Sequence, residues 1–123
     1  MTEPRTVLLV DDDDDARAVT GACLAAEGYR VVDAKDGAEA LALLDGGLRP
    51  AVILLDLHMP NIDGWEFRRR QLEDAALADI PVAVVSAASP SLHFQKQFFR
   101  GTHRLRKPPT TDELLGLMLA VIG

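Results

Sequence analysis

Two hydrophobic periodicities alternate without interruption along this 123-residue chain, and that alternation limits the folds open to it. Thr6 to Val10, Arg30 to Ala34, Ala51 to Leu55, Val82 to Val85 and a short stretch at His103 to Leu105 read as strands. Val52 to Leu55 and Val82 to Val85 are nearly continuous apolar runs, the pattern of strands covered on both faces. Amphipathic helical stretches lie between the strands. Asp36 with Glu39, Asp63 with Glu66 and Thr110 with Glu113 have capping-box spacing or a close variant. Ser89 before Pro90 places a cap residue ahead of a proline at the first helical position. Gly28 and Gly101 follow the first and fourth helices, where a left-handed cap favours glycine. The last helical stretch, Asp112 to Ile122, runs almost to the end. Five βα units with right-handed crossovers predict a parallel sheet with helices on both faces. In this doubly wound α/β architecture, function lies outside the carboxyl ends of the strands.

Those ends carry charge. Val10-Asp11-Asp12, Leu55-Asp56 and Leu105-Arg106-Lys107-Pro108 each place a charged group just past an apolar run. Along one sheet edge they predict a crevice of three carboxylates and one ammonium, without histidine or cysteine beside them. Hard oxygen ligands suit Mg²⁺, and an added lysine suits a phosphoryl group. Asp56 precedes the loop His58-Met59-Pro60-Asn61, which cannot be helical at Pro60, so its side chain is expected at the sheet edge. A carboxylate there can attack phosphorus to give an acyl phosphate. Asp11 and Asp12 would help by binding the cation that offsets the repulsion between carboxylates and phosphoryl oxygens. Lys107 brings a point charge, and Ser86, just after the fourth strand, a hydroxyl donor. Taken singly, each residue has an ordinary reading as a cap or turn former. Their coincidence at the ends of four strands makes the functional reading.

The net charge of −6 argues against direct nucleic-acid binding, which shows a basic face. The run Asp11 to Asp15 carries much of that imbalance. Such runs are usually solvated tails, but here repulsion between a strand and a helix needs an offset, for which a bound cation is the expected candidate. The length and 48% hydrophobic content fit one globular domain with a real core. No apolar run approaches the ~20 residues of a membrane helix, and Met1 to Arg5 has no signal-peptide pattern, so a cytoplasmic protein is expected. No linker, repeat or output domain is read in residues 1–123, and Met1 just before the first strand favours a naturally single-domain protein. The lone Cys23 cannot form an internal disulfide. It falls with Val19 and Ala26 at helical spacing, which predicts a core position.

Val10-Asp11-Asp12, Asp36-Gly37 with Ala40-Leu41, Leu55 through Pro60, Asp63-Gly64, Ile80-Pro81, Val85-Ser86-Ala87 and Lys107-Pro108 together resemble the receiver domain of two-component response regulators, over essentially the whole chain. The resemblance implies a flavodoxin-like (βα)5 fold with strand order 2-1-3-4-5. It implies that Asp56 is the phosphoacceptor and that Asp11, Asp12, Asp56 and the backbone carbonyl of His58 hold Mg²⁺. Ser86 takes the place of the family's switch hydroxyl and Lys107 that of its lysine, with Lys107-Pro108 in the cis form. The donor would be a phosphohistidine on a sensor kinase or phosphotransfer protein. Such a receiver is a signalling switch that catalyses only its own phosphotransfer and later hydrolysis.

The chain also departs from the family pattern. Arg104 stands where many receivers have Tyr or Phe that swings inward, and a desolvated arginine costs several kcal/mol unless paired. The stretch from Gly101 to Lys107 is shorter than is common, and Pro109 replaces a frequent Phe. Arg68 and Gln71 stand where the family tends to have apolar residues, which predicts a third helix in shifted register using Phe67 and Leu72. Arg68-Arg69-Arg70 reads as a solvated helix face. Phe94, Phe98 and Phe99 share one short segment, with Phe94 and Phe98 on one face. Either that face or Phe99 packs on the sheet, or an aromatic patch lies beside Arg104. The second reading puts it on the face of the fourth helix, fifth strand and last helix, docking a downstream protein or a second copy. His58 is expected to tune dephosphorylation, and His93 and His103 to be surface or packing residues. Two other readings are a pseudo-receiver that binds partners without phosphorylation and an aspartyl-nucleophile phosphohydrolase. The latter needs a second Asp two residues after the nucleophile, where this chain has His58. The complete set of Asp11, Asp12, Asp56, Ser86 and Lys107 favours the phosphorylated switch.

Overall fold

The computed structural model describes residues 5–87, 99 and 102–122. Strands β1 (Thr6–Val10), β2 (Arg30–Ala34), β3 (Val52–Leu55), β4 (Val82–Ser86) and β5 (His103–Arg106) form one sheet in the order β2-β1-β3-β4-β5, every pair parallel. Helices α1 (Asp14–Ala26), α2 (Gly37–Asp45), α3 (Gly64–Glu73) and α4 (Thr111–Ile122) cover it. The fold is the expected flavodoxin-like α/β arrangement. The predicted helix before β5, with its Ser89-Pro90 start, Gly101, His93, Phe94 and Phe98, lies outside the described residues.

Alternation along each strand sorts the core into two layers. Leu8, Val10, Ile53, Leu55, Val82 and Val84 pack with Ala40, Leu44, Phe67 and Phe99 on the side of α2 and α3. Val7, Leu9, Val52, Leu54, Ala83 and Val85 pack with Leu24, Leu114, Leu117 and Met118 on the side of α1 and α4. Every residue of β3 and β4 is buried, which is why those runs are apolar without a break. Each buried Val, Leu or Ile side chain of these runs contributes about 1.5–3 kcal/mol by leaving water. The edge strand β5 instead exposes His103, Arg104 and Arg106, and charge on an edge discourages pairing with another chain.

The predicted caps form. Asp36 accepts the Glu39 N–H at 2.8 Å and Asp63 the Glu66 N–H at 2.9 Å. Thr110 and Glu113 exchange bonds, the Glu113 N–H to Thr110 Oγ1 at 3.0 Å and the Thr110 N–H to Glu113 Oε1 at 2.9 Å. Gly28, at φ 94°, closes α1: its N–H bonds the Ala25 carbonyl at 3.0 Å and the Tyr29 N–H bonds that of Leu24 at 3.2 Å, a Schellman end.

Three expectations are corrected. Helix α1 does not bury the Val19–Cys23–Ala26 stripe: Val19 is 71% exposed, Ala26 is exposed, and Cys23 is half-buried with Sγ 3.8 Å from Thr111 Oγ1. The helix meets the sheet through Gly21, which lies over Leu9 and Val31, so Leu24 is buried and Cys23 turns towards α4. Helix α3 keeps its register. Phe67 is fully buried, Leu72 is 39% exposed, and Gln71, one turn beyond Phe67, is fully buried. Its amide donates to the carbonyls of Leu77 at 3.0 Å and Ile80 at 2.9 Å, and its Oε1 accepts from Arg68 Nη1 at 2.8 Å. A polar side chain satisfied in this way can occupy a core position. Arg68 is thereby half-buried, so only Arg69 and Arg70 keep the predicted surface role, paired with Glu66 and Glu73.

Candidate functional site

The sheet ladder continues one residue past β1 and β3. The Asp11 N–H bonds the Ala34 carbonyl at 3.1 Å, and the Asp56 N–H bonds that of Val10 at 2.9 Å. Two aspartates are thus held side by side at the carboxyl edge, each only 5% exposed. Past β5, the Lys107 N–H bonds the Ser86 carbonyl at 3.1 Å, and Lys107-Pro108 is cis. The Lys107 ammonium then reaches 2.6 Å from Asp11 Oδ2 and 3.3 Å from Asp56 Oδ2. Asp12 is exposed, and one carboxylate oxygen each from Asp11, Asp12 and Asp56 lie within 4.8 Å of one another. Ser86, expected just beyond the strand, is the buried last residue of β4.

Burial pushes the Asp56 carboxyl above its usual range; Lys107 opposes this, and the Asp11 charge adds to it. Burial works against the Lys107 ammonium too, but its hydrogen bond to Asp11 and the charges of Asp56 and Asp11 prevail and hold it above the usual lysine value. The crevice therefore pairs a poorly solvated carboxylate with a permanent cation. All candidate metal donors are hard carboxylate oxygens, a set that fits Mg²⁺ and not a soft metal.

The loop after β3 is braced from several sides. The His58 N–H makes a long bond to Asp56 Oδ1 at 3.4 Å, and the Gly64 N–H bonds the Leu57 carbonyl at 3.0 Å. A Cβ at Gly64 would fall 2.6 Å from the Asp56 carbonyl oxygen, so glycine is what lets α3 begin against the segment that carries Asp56. Asn61, at φ 66°, donates to Asp36 Oδ2 at 3.2 Å and ties this loop to the start of α2. The Glu39 N–H holds the Asp36 carboxyl below its usual range; burial opposes this and Asn61 assists it. The exposed His58 ring stands edge-on to Trp65, centroids 5.1 Å apart at 77°.

The aspartate run divides its labour. Asp11 accepts the Asp13 N–H at 2.9 Å besides binding Lys107, and Asp13 caps α1 by accepting the Ala16 N–H at 3.0 Å. Asp14 pairs with Arg17 Nη2 at 2.7 Å. Lys107, Arg17 and the positive end of α1 offset part of the repulsion within the run, beside the bound cation that the sequence leads one to expect. Arg17, Asn61 and Trp65 did not stand out in the sequence. Arg17 has ion-pair spacing from Asp14, which was a usable signal, but no pattern marks Trp65 as a neighbour of His58.

The expected partner surface is only partly in view. Arg104 is exposed on β5 opposite Val84, while Phe94 and Phe98 lie outside the described residues. Phe99 is 3% exposed and belongs to the core. His103 is at the surface, as expected. Pro109 lines a groove of about 470 Å³ between α1 and α4, beside Lys107, with Val19, Cys23 and Leu114. Among the described residues no helix is long and apolar enough to cross a membrane.

Residues 7–118 match the family model of the response regulator receiver domain. A gliding motility regulatory protein of Myxococcus xanthus is 44% identical over 85 residues, which are 68% of this chain and 11% of that protein. Response regulator MprA of Mycobacterium sp. (strain KMS) is 36% identical over 120 residues, 97% of this chain and 51% of that protein. This chain thus spans about half the length of MprA and a smaller share of the Myxococcus protein. Among solved structures, the chemotaxis protein CheY4 of Vibrio cholerae superposes with a TM-score of 0.87 at 29% identity, covering 97% of this chain and 99% of that one. With the sheet order, the acidic crevice and its lysine already in place, these matches show that the chain belongs to the receiver domain family of two-component response regulators.

Proposed function

We propose that this receiver accepts a phosphoryl group from a phosphohistidine onto Asp56 and that the resulting charge switches its protein contacts. The observation that carries this reading is the Lys107 ammonium set between the Asp11 and Asp56 carboxylates, at 2.6 and 3.3 Å. A carboxylate oxygen of Asp56 attacks phosphorus, the donor P–N bond breaks, and the imidazole leaves with a proton, giving an acyl phosphate. Asp11, Asp12 and Asp56, with the His58 backbone carbonyl, would hold Mg²⁺, which when bound neutralises phosphoryl oxygens that the carboxylates would otherwise repel. Lys107 moves its point charge onto a phosphoryl oxygen, and Ser86 supplies a hydroxyl donor. Water later attacks phosphorus, the bond to Asp56 breaks, and inorganic phosphate leaves. His58 tunes that last step from beside the approach path.

The phosphoryl group adds roughly −1.5 to −2 charges. To carry a 1:99 resting population to 99:1 it must favour the active state by about 5.5 kcal/mol. The donor is a sensor histidine kinase or a histidine phosphotransfer protein in the cytoplasm. The recipient of the signal is a downstream protein or a second copy, met on the face that holds Arg104 of β5 and α4; Phe94 and Phe98, which the sequence adds to that surface, lie outside the described residues. Residues 1–123 act as one receiver domain, a switch without turnover of another substrate. A second reading, binding without phosphorylation, draws on the exposed Arg104 in place of an inward-swinging aromatic.

The test is incubation with Mg²⁺ and a small phosphodonor, followed by mass measurement. A hydroxylamine-labile gain of one phosphoryl group, abolished by Asp56→Asn, is expected. No gain with any donor would favour phosphorylation-independent binding. Continuous release of phosphate without a lasting adduct would point to a hydrolase.

A further inference from the structure

Arg17 lies within the first turns of α1, its side chain 17% exposed, and joins three elements. Nη1 donates to the backbone carbonyl of Asp11 at 2.7 Å, Nη2 to Asp14 Oδ1 at 2.7 Å, and Nε stands 3.6 Å from Asp33 Oδ2 on β2. A guanidinium presents its donors in a rigid planar fork, so one side chain can hold several acceptors in fixed relation. The carbonyl it holds belongs to the peptide between Asp11 and Asp12. That unit is planar, so fixing its oxygen fixes the plane from which the Asp12 chain departs. Asp11 is then held at every polar group: N–H by Ala34, carbonyl by Arg17, Oδ1 by Asp13 and Oδ2 by Lys107. Asp12 has no such enclosure, being exposed, and its aim into the cluster depends on the backbone before it.

We infer that Arg17 is a positioning residue for the cation site: through the Asp11 carbonyl it sets the peptide that aims the Asp11 and Asp12 carboxylates at one point. This rests on the proposal that those carboxylates hold Mg²⁺. Charge and geometry make opposite predictions. A guanidinium beside a cation site repels the cation, so if charge were its only role, neutralising Arg17 would tighten Mg²⁺ binding. As a positioning residue its loss must weaken that binding. Groups that orient metal ligands typically account for 10- to 100-fold in affinity, and the same range is expected here.

The experiment is titration of the full chain with MgCl2, followed by calorimetry and by the fluorescence of Trp65, the single tryptophan, beside His58. Arg17→Gln and Arg17→Lys are compared with the wild type, with urea unfolding run alongside and Asp12→Asn as control. For Arg17→Gln the dissociation constant should rise at least about tenfold, while Arg17→Lys, which keeps the charge but not the fork, should fall between. An unchanged or tighter constant in Arg17→Gln overturns the inference, whatever its stability. Should that variant not fold, wild-type affinity in Arg17→Lys overturns it equally. If wild-type binding is insensitive to Asp12→Asn, the Mg²⁺ site itself is wrong, a failure distinct from that of Arg17.

Discussion

Replacing Gln71 by Leu tests the polar clamp beneath α3. Gln71 is fully buried, and its amide is the donor to the carbonyls of Leu77 and Ile80. A buried carbonyl left without a donor costs about 1–3 kcal/mol. The Leu77 carbonyl keeps the Ile80 N–H at 3.1 Å, so loss of the amide bond to it falls in the lower part of that range; the Ile80 bond is partly buried, so water reduces its share as well. Leucine fits a similar volume and returns about 1 kcal/mol of apolar burial. The net loss expected is about 1–2 kcal/mol, or a fall in Tm of about 5 °C for a domain of this size. Urea unfolding followed by circular dichroism should show a lower midpoint at unchanged slope. Phosphorylation below the transition should be unaffected, because Gln71 holds the loop entering β4 while Asp56 and Ser86 lie at the opposite ends of their strands. A Gln71→Leu variant as stable as the wild type would refute the reasoning and mean that water already serves those carbonyls.

Three further outcomes are expected. Gly64→Ala forces a Cβ to 2.6 Å from the Asp56 carbonyl oxygen, and backbone has no flexible end to yield. A loss of about 1–3 kcal/mol with slower adduct formation should appear in urea melts and small-donor kinetics. Asp36→Ala removes the cap of α2 and the Asn61 tether, costing about 1–2 kcal/mol. The folded Asp36 carboxyl lies below its usual range, so its contribution is present above the unfolded carboxylate pKa and is lost as pH falls through the folded one; the gap between wild type and variant, followed by melts between about pH 7 and pH 3, should narrow at the acid end. If His58 tunes hydrolysis as proposed, His58→Ala should speed decay of the hydroxylamine-labile adduct several-fold, while the exposed ring's loss changes stability by less than about 0.5 kcal/mol.

The legible parts of the fold were those where one physical cause dominates. Strands β3 and β4 are covered on both faces, so burial writes itself as a continuous apolar run. Caps were legible because a side chain and a backbone donor three residues away settle the matter locally. The α1 contact line was not, because the residue that meets the sheet is Gly21, which has no side chain to announce it, while Val19 and Cys23 look apolar and face elsewhere. Gln71 misled for a related reason. Hydropathy prices its amide as exposed, and nothing in the letters shows that the irregular stretch from Asp74 to Ile80 turns two carbonyls towards it.

The same distinction runs through the site. Asp11, Asp56 and Lys107 were legible because parallel strands deliver their ends to one edge, whereas Arg17 works on a backbone carbonyl that every residue type possesses. Arg104 sharpens the matter of readout. It pairs in register with Val84, on the face covered by α2 and α3, yet stays in solvent. Drawing its guanidinium inward would cost several kcal/mol unless an acid met it there, comparable with the whole of the roughly 5.5 kcal/mol that a full switch requires. A signal leaving Asp56 by burial of the side chain at that position would be spent before it reached the surface. On the proposed reading the signal would run instead through Lys107, whose ammonium lies 3.3 Å from Asp56 and whose backbone is bonded to the end of β4. A shift of that ammonium onto a phosphoryl oxygen would then pull on the end of β5 directly, with no aromatic side chain needed as intermediary.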